Sequence, residues 1–89
     1  MGYVFPNESI EVLVRFPARR QGGAQKGLEP LAFKWNGRRV NINSINLRYD
    51  SMVGREKVYH FAVSDNAQAY QLDYYSQSQQ WKLGGYYVE

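Results

Sequence analysis

The chain contains no cysteine, which excludes disulfide staples, thiolate nucleophiles and cysteine-ligated zinc. His60 is the single histidine, so too few ligands remain for a zinc or iron site. No apolar run approaches the roughly 20 residues of a membrane-spanning helix. The N-terminus also lacks a basic segment followed by an apolar stretch, so no secretory signal is predicted. We therefore expect a cytoplasmic protein without metal, cofactor or membrane contact.

The length of 89 residues predicts one domain over residues 1–89, with residues 1–9 as a flexible N-terminus. Chains this short bury only about 60 to 65% of their unfolded surface, so the core must be efficient. Aromatic residues make up 16% of the chain, and eight of them are tyrosines. Because aromatic side chains bury a large area each, this composition suits a small core.

Alternating apolar residues predict short strands, and no segment keeps helical spacing. The predicted strands cover residues 10–16, 31–35, 38–49, 58–63, 70–74 and 81–83. We expect an all-β fold, a small antiparallel barrel or roll of five to six strands in meander order. Residues 17–29 predict a long flexible loop, and residues 50–57 a polar connection. The apolar phase slips after Ile42, which predicts a β-bulge near residues 43–44.

The predicted core combines the apolar positions of these strands. It comprises Ile10, Val12, Val14, Phe33, Trp35, Val40, Ile42, Ile45, Leu47, Phe61, Leu72, Trp81 and Leu83, with Tyr59, Tyr70 and Tyr74 on the same inward face.

Residues 31–42 are the most informative stretch, because apolar alternation flanks the pair Asn36-Gly37. That dipeptide is the strongest signal for a two-residue type I′ turn. The implied register places Lys34 directly opposite Arg39, away from the apolar face. Facing like charges cost a few tenths to about 1 kcal/mol. Either the long side chains spread apart in water, or an anion binds there, and both interpretations stay open.

Charge is unevenly distributed along the chain. The segment from Arg15 to Arg48 has eight basic residues and one acid, a charge of +7, while the remaining residues carry −4, giving the net +3. Such asymmetry favours a polyanionic partner or a partner protein of opposite polarity. The candidate nucleic-acid-binding residues are Arg19, Arg20, Lys26, Lys34, Arg38 and Arg39.

Catalysis has little support in the sequence. The strand phase places His60 opposite Tyr59 and Phe61, on the outer face, where a structural histidine is expected. Ser64, Asp65 and Asp73 are nearby in sequence, but nothing fixes the nucleophile–base geometry of a triad. The segment 17–29 also lacks the phosphate-loop pattern. We therefore predict a protein that is not an enzyme.

The run F-x-W-x-G-R at Phe33 to Arg38, followed by aromatic residues at β spacing over residues 59–83, resembles a family of small bacterial domains of unknown function. The resemblance covers about residues 30–84. Some members are appended to Y-family (translesion) polymerase-like proteins, which implies a bacterial protein with a role beside DNA repair or replication.

The sequence thus predicts a small non-enzymatic binding module, preferably for nucleic acid. The alternative is an accessory protein-interaction module in a repair, replication or other assembly. Its candidate partner-binding residues are Tyr75, Tyr86 and Tyr87, since tyrosine is enriched at interfaces. The competing interpretation is that Tyr86 or Tyr87 caps an open end of the barrel. We expect a monomer or a weak homo-oligomer.

Overall fold

The computed structural model describes residues 2–15 and 28–88, and within them every regular element is a β-strand. The strands are β1 (Gly2–Val4), β2 (Glu8–Arg15), β3 (Glu29–Trp35), β4 (Arg38–Asn41), β5 (Ser44–Val53), β6 (Glu56–Ser64), β7 (Ala69–Tyr75) and β8 (Gln80–Val88). The all-β prediction is confirmed. The described residues form eight strands rather than five or six, and their sheet is an open roll rather than a closed barrel.

All eight strands belong to one antiparallel sheet with the order β4-β3-β2-β8-β7-β6-β5, and β1 pairs with β8 off this path. Two runs of consecutive strands make up the order, β2-β3-β4 and β5-β6-β7-β8. They join in the ladder between β2 and β8, where Ile10 faces Trp81. The first and last parts of the chain therefore meet inside the sheet.

The chain changes sheet edge between β4 and β5, within the stretch 38–49 that the sequence predicts as one strand. Ile42 donates its N–H to the Leu31 carbonyl on β3 at 2.9 Å, whereas Asn43 donates to the Ser64 carbonyl on β6 at 2.8 Å. Since β4 and β5 end the strand order, these two residues bring the edges together at one corner. The slip in apolar phase marks this change of neighbouring strand.

The bulge itself lies further along, at Asn46. The ladder between β5 and β6 shifts register between Ile45 and Leu47. Because a bulge adds one residue to its strand, the side chains after it point to the face opposite to the one that simple alternation predicts. Ile45 therefore packs against the core, while Leu47 is 57% exposed, and the prediction of Leu47 as a core residue is wrong.

The core lies on one face of the curled sheet, here called the inner face; the opposite face is the outer face. Its buried cluster comprises Leu28, Phe33, Val40, Phe61, Val63, Tyr70, Leu72 and Leu83. The rings of Phe33 on β3 and Tyr70 on β7 meet edge to face with centroids 5.1 Å apart. Because β2 and β8 lie between those strands in the sheet, this contact shows that the sheet curls around the core.

The N-terminal segment, which the sequence predicts as flexible over residues 1–9, takes part in the sheet. β1 pairs with the end of β8, where Gly2 faces Val88, and the start of β2 pairs with the same strand at Leu83. Between the two, the Phe5 ring lies against Gly85, leaving a Cβ atom there only 3.1 Å from the ring. Gly85 thus lets the N-terminal segment pack closely on β8.

Two predicted loops also differ from the structure. Residues 50–57 belong mainly to strands, because β5 extends to Val53 and β6 begins at Glu56, with Gly54 and Arg55 as the turn. Gly54 has φ +63°, which a type II′ turn requires at its first central position. The predicted loop 17–29 lies mostly outside the described residues, but Glu29 already belongs to β3.

Candidate nucleic-acid interface

The β3–β4 hairpin has the predicted turn and register. Asn36 and Gly37 have φ values of +55° and +73°, and positive values at both central positions define type I′. Lys34 faces Arg39 directly across the ladder, and both are exposed. Their neighbours Phe33 and Val40 point into the core, so alternation places the two cations on the outer face.

Arg38 lies on the other face of the hairpin. It faces Trp35 across the ladder, and the Trp35 ring packs on Tyr86 with centroids 4.6 Å apart. Burial raises the pKa of Tyr70, with the Asp65 carboxylate adding to the effect, whereas the Arg38 charge acts in the opposite direction. The three hairpin cations therefore flank edge strand β4 from both faces instead of forming one patch.

The acids near these cations are few. Glu11 faces Lys34 from β2, and Arg39 Nε donates to the Asn41 side-chain oxygen at 2.9 Å. Within residues 2–15 and 28–88, the ion pairs of arginine and lysine are Arg15–Glu29 and Lys57–Asp50, and His60 is hydrogen-bonded to Asp73. Lys34, Arg38 and Arg39 thus form no ion pair with a described carboxylate, and their charge faces solvent.

A shallow cleft on the outer face lies beside this pair of cations. It is lined by Glu11, Val12, Leu13, Ala32, Phe33, Lys34 and Arg39. The other predicted nucleic-acid contacts, Arg19, Arg20 and Lys26, lie outside the described residues. Of the predicted nucleic-acid contacts, the structure therefore describes the hairpin cations, with this cleft beside them.

The three tyrosines predicted to bind a partner lie in different surroundings. Lys82 Nζ lies 5.0 Å from the ring centroid of Tyr75. Tyr86 packs against the core and on Trp35, so it contributes to folding. Tyr87 meets the ring of Tyr3 edge to face at 5.3 Å, next to Phe5, which is 73% exposed. Of the three, Tyr87 belongs to an exposed aromatic cluster.

A hydrogen-bonded chain of Ser51, His60 and Asp73 crosses the outer face of β5, β6 and β7. Ser51 Oγ lies 2.7 Å from His60 Nε2, and His60 Nδ1 lies 2.7 Å from Asp73 Oδ1. Because an ionised carboxylate only accepts, Nδ1–H is the donor to Asp73. The sequence places Ser64 and Asp73 near His60 as possible partners; in the structure Asp73 contacts His60, and the hydroxyl beside His60 is that of Ser51 and not of Ser64. Ser51 and Tyr49 are two residues apart in β5 and so lie on the same face as His60. This spacing is the sequence signal that would have identified Ser51 as a neighbour of His60.

This chain has the contacts of a nucleophile, base and orienting acid, yet its surroundings are those of a packed polar cluster. The Tyr49 ring stacks on His60 with centroids 4.6 Å apart, and Gln71 Nε2 donates to Asp73 at 3.2 Å. The Asp73 carboxylate fills the space beside Gly84, where a Cβ atom would collide with it. The three clefts beside Leu13, Gln68 and Asn36 are lined by other residues than Ser51, His60 and Asp73.

Comparison with known proteins gives no family, curated relative or solved structure that matches this chain. In the described ranges, no cluster of three or more histidine, aspartate or glutamate side chains is arranged to hold a metal ion. The same ranges contain no helix long and apolar enough to cross a membrane.

Proposed function

We propose that this chain is a non-enzymatic binding module for a polyanion, single-stranded nucleic acid in particular, held along the β3–β4 hairpin. The observation that carries the proposal is the pair Lys34 and Arg39, which face each other on adjacent strands without a described carboxylate ion pair. Such a pair is unfavourable on its own, and a bound phosphate between the two side chains would reverse the sign of that interaction.

The position of β4 supports a ligand that runs along the sheet edge. Arg39 projects from one face of this edge strand and Arg38 from the other, beside the half-buried ring of Trp35. Successive phosphates of a flexible strand would contact the cations, and a base would stack on the exposed side of the indole. A duplex, which is wider and stiffer, would meet one face only. We therefore expect preference for single strands.

Fluorescence anisotropy with a labelled oligothymidylate tests this proposal. We expect Arg39→Glu to weaken binding and to make the slope of log K against log salt shallower by about 0.7 for each phosphate that the variant no longer neutralises. Arg55→Glu, which makes the same charge change at the remote β5–β6 turn, is the matched control. Equally weakened binding in both variants, or no binding by the unmodified chain at low salt, would contradict the proposal.

A second candidate function, binding of a partner protein, is favoured by the exposed cluster of Tyr3, Phe5 and Tyr87. Tyr3 is 55% and Phe5 73% exposed, and their rings lie 6.0 Å apart. Apolar contacts are insensitive to ionic screening, so a partner held there would stay bound at high salt. A Tyr3→Ser/Phe5→Ser variant would release that partner without changing oligonucleotide affinity.

A further inference from the structure

The two edges of the sheet differ in character. Edge strand β4 carries Arg38 and Arg39, and charged side chains on an edge oppose pairing with another chain. Edge strand β5, in contrast, is ten residues long and bears exposed apolar side chains. Leu47, Tyr49, Met52 and Val53 are between 45% and 60% exposed. Among the described strands β5 pairs with β6 alone, and a long, apolar strand at the end of a sheet is a template for a further strand.

The β5–β6 turn determines which backbone groups of β5 point away from the sheet. Val53 and Glu56 flank the two-residue turn, and in such a turn these two residues form a hydrogen-bonded pair. Along the β5–β6 ladder, hydrogen-bonded and non-hydrogen-bonded residue pairs then alternate. Ser51 and Tyr49 therefore bond to β6, while the N–H and C=O groups of Arg48, Asp50 and Met52 point outward. An added antiparallel strand must align with these outward groups.

The sequence Arg48-Tyr49-Asp50 makes β5 complementary to itself in one register. When two copies pair antiparallel with Tyr49 facing Tyr49, each Arg48 faces Asp50 of the other copy. Shifting the register by two residues places Asp50 against Asp50, or Arg48 against Arg48, and like charges directly opposite are destabilising. Both side chains lie on the inner face, where Arg48 also donates to the Leu28 carbonyl at 3.2 Å and Asp50 lies 3.7 Å from Lys57 Nζ.

We propose that β5 is a self-association site, at which a second copy of this chain adds its own β5 antiparallel and extends the sheet across the interface. Tyr49 lies on the two-fold axis, and Leu47 packs beside Ser51 of the second copy on the outer face. One strand pair buries an area at the low end for specific interfaces, so the dimer is weak and concentration-dependent. Because β4 is the other edge of the sheet, this proposal does not depend on oligonucleotide binding.

A charge swap tests the register by sedimentation equilibrium between micromolar and millimolar protein. Asp50→Arg and Arg48→Asp each place like charges opposite one another in both contacts, so we expect each variant alone to dimerise about tenfold more weakly or worse. An equimolar mixture restores both opposite-charge contacts and should form heterodimers as well as the unmodified chain dimerises. Circular dichroism checks that each variant is folded.

Disulfide trapping gives a second measurement that is independent of charge. Since the chain has no cysteine, Tyr49→Cys introduces a single thiol, and cysteines facing across a non-hydrogen-bonded pair are close enough to oxidise to a disulfide. Val53→Cys is the control, because in this register position 53 lies beside the start of β5 in the second copy, near the bulge at Asn46, and not beside itself. Rapid cross-linking of the position 49 variant alone supports the proposal. A strictly monomeric chain, or equal cross-linking at both positions, overturns it.

Discussion

The Glu56 carboxylate is the clearest case in which one side chain determines a local conformation. It accepts hydrogen bonds from Gln77 N–H at 2.9 Å and from Ser78 N–H and Oγ–H at 2.7 Å each. These donors belong to the β7–β8 turn, where Gln79 has φ +57°, a value that non-glycine residues rarely adopt. These hydrogen bonds hold the pKa of Glu56 below its ordinary value of 4.5, and the one from the Ser78 backbone has the largest effect.

The lowered pKa of Glu56 predicts how stability changes with pH. A carboxylate whose folded-state pKa is depressed stabilises the fold above its unfolded value and loses this contribution as pH falls through the folded value. Glu56→Gln should therefore lower the free energy of unfolding most above about pH 5, and the difference from the unmodified chain should shrink as pH falls below 4.5. Urea denaturation at several pH values measures it. A difference independent of pH would show that the charge is not involved.

At the scale of elements, the bulge at Asn46 separates two neighbouring apolar side chains. Ile45 packs against the core and Leu47 is exposed. We expect Ile45→Ser to lower the free energy of unfolding by about 2 kcal/mol and Leu47→Ser to change it by less than about 0.5 kcal/mol. Urea denaturation at low protein concentration, where β5 is unpaired, measures both values. Equal destabilisation by the two substitutions would place the bulge elsewhere.

The hairpins with strong turn signals could be predicted from sequence, and the change of sheet edge could not. Asn36-Gly37 specifies its turn and therefore the register of Lys34 and Arg39, because few residue pairs accept two positive φ values. At Ile42 and Asn43 no glycine or proline marks a break, yet the backbone hydrogen bonds change there from β3 to β6. Strand partners depend on contacts distant in sequence, which local alternation does not encode.

In the candidate site, too, the local pairing could be predicted from sequence and the contacts between distant strands could not. Local register predicts the pairing of Lys34 with Arg39, and alternation alone places Arg38 on the opposite face. The chain from Ser51 to Asp73 was not predicted because it needs β5 to extend past residue 50, through a segment whose polar composition resembles a loop. The turn at Gly54 and Arg55 is what keeps those residues in a strand.

On the scale of the whole molecule, β8 is the central strand. It pairs with β1, β2 and β7 and contributes Leu83 to the core, so removing it separates the two halves of the sheet. We expect a chain that ends before residue 80 to lose cooperative thermal unfolding. Deletion of residues 1–7, which removes only β1, should lower Tm but keep the transition. Retained cooperativity in the chain that ends before residue 80 would contradict the central role of β8.

The pairing of Gly2 with Val88 places the two ends of the described chain side by side. If this domain were inserted into a loop of another protein, its first and last described residues would lie one strand spacing apart. The two ends of the host loop would therefore hardly need to separate. The same adjacency suits circular permutation, with a short linker joining the ends and new termini opened at the Gly54-Arg55 turn. The domain therefore has the geometry of a module that can be grafted without distorting its host.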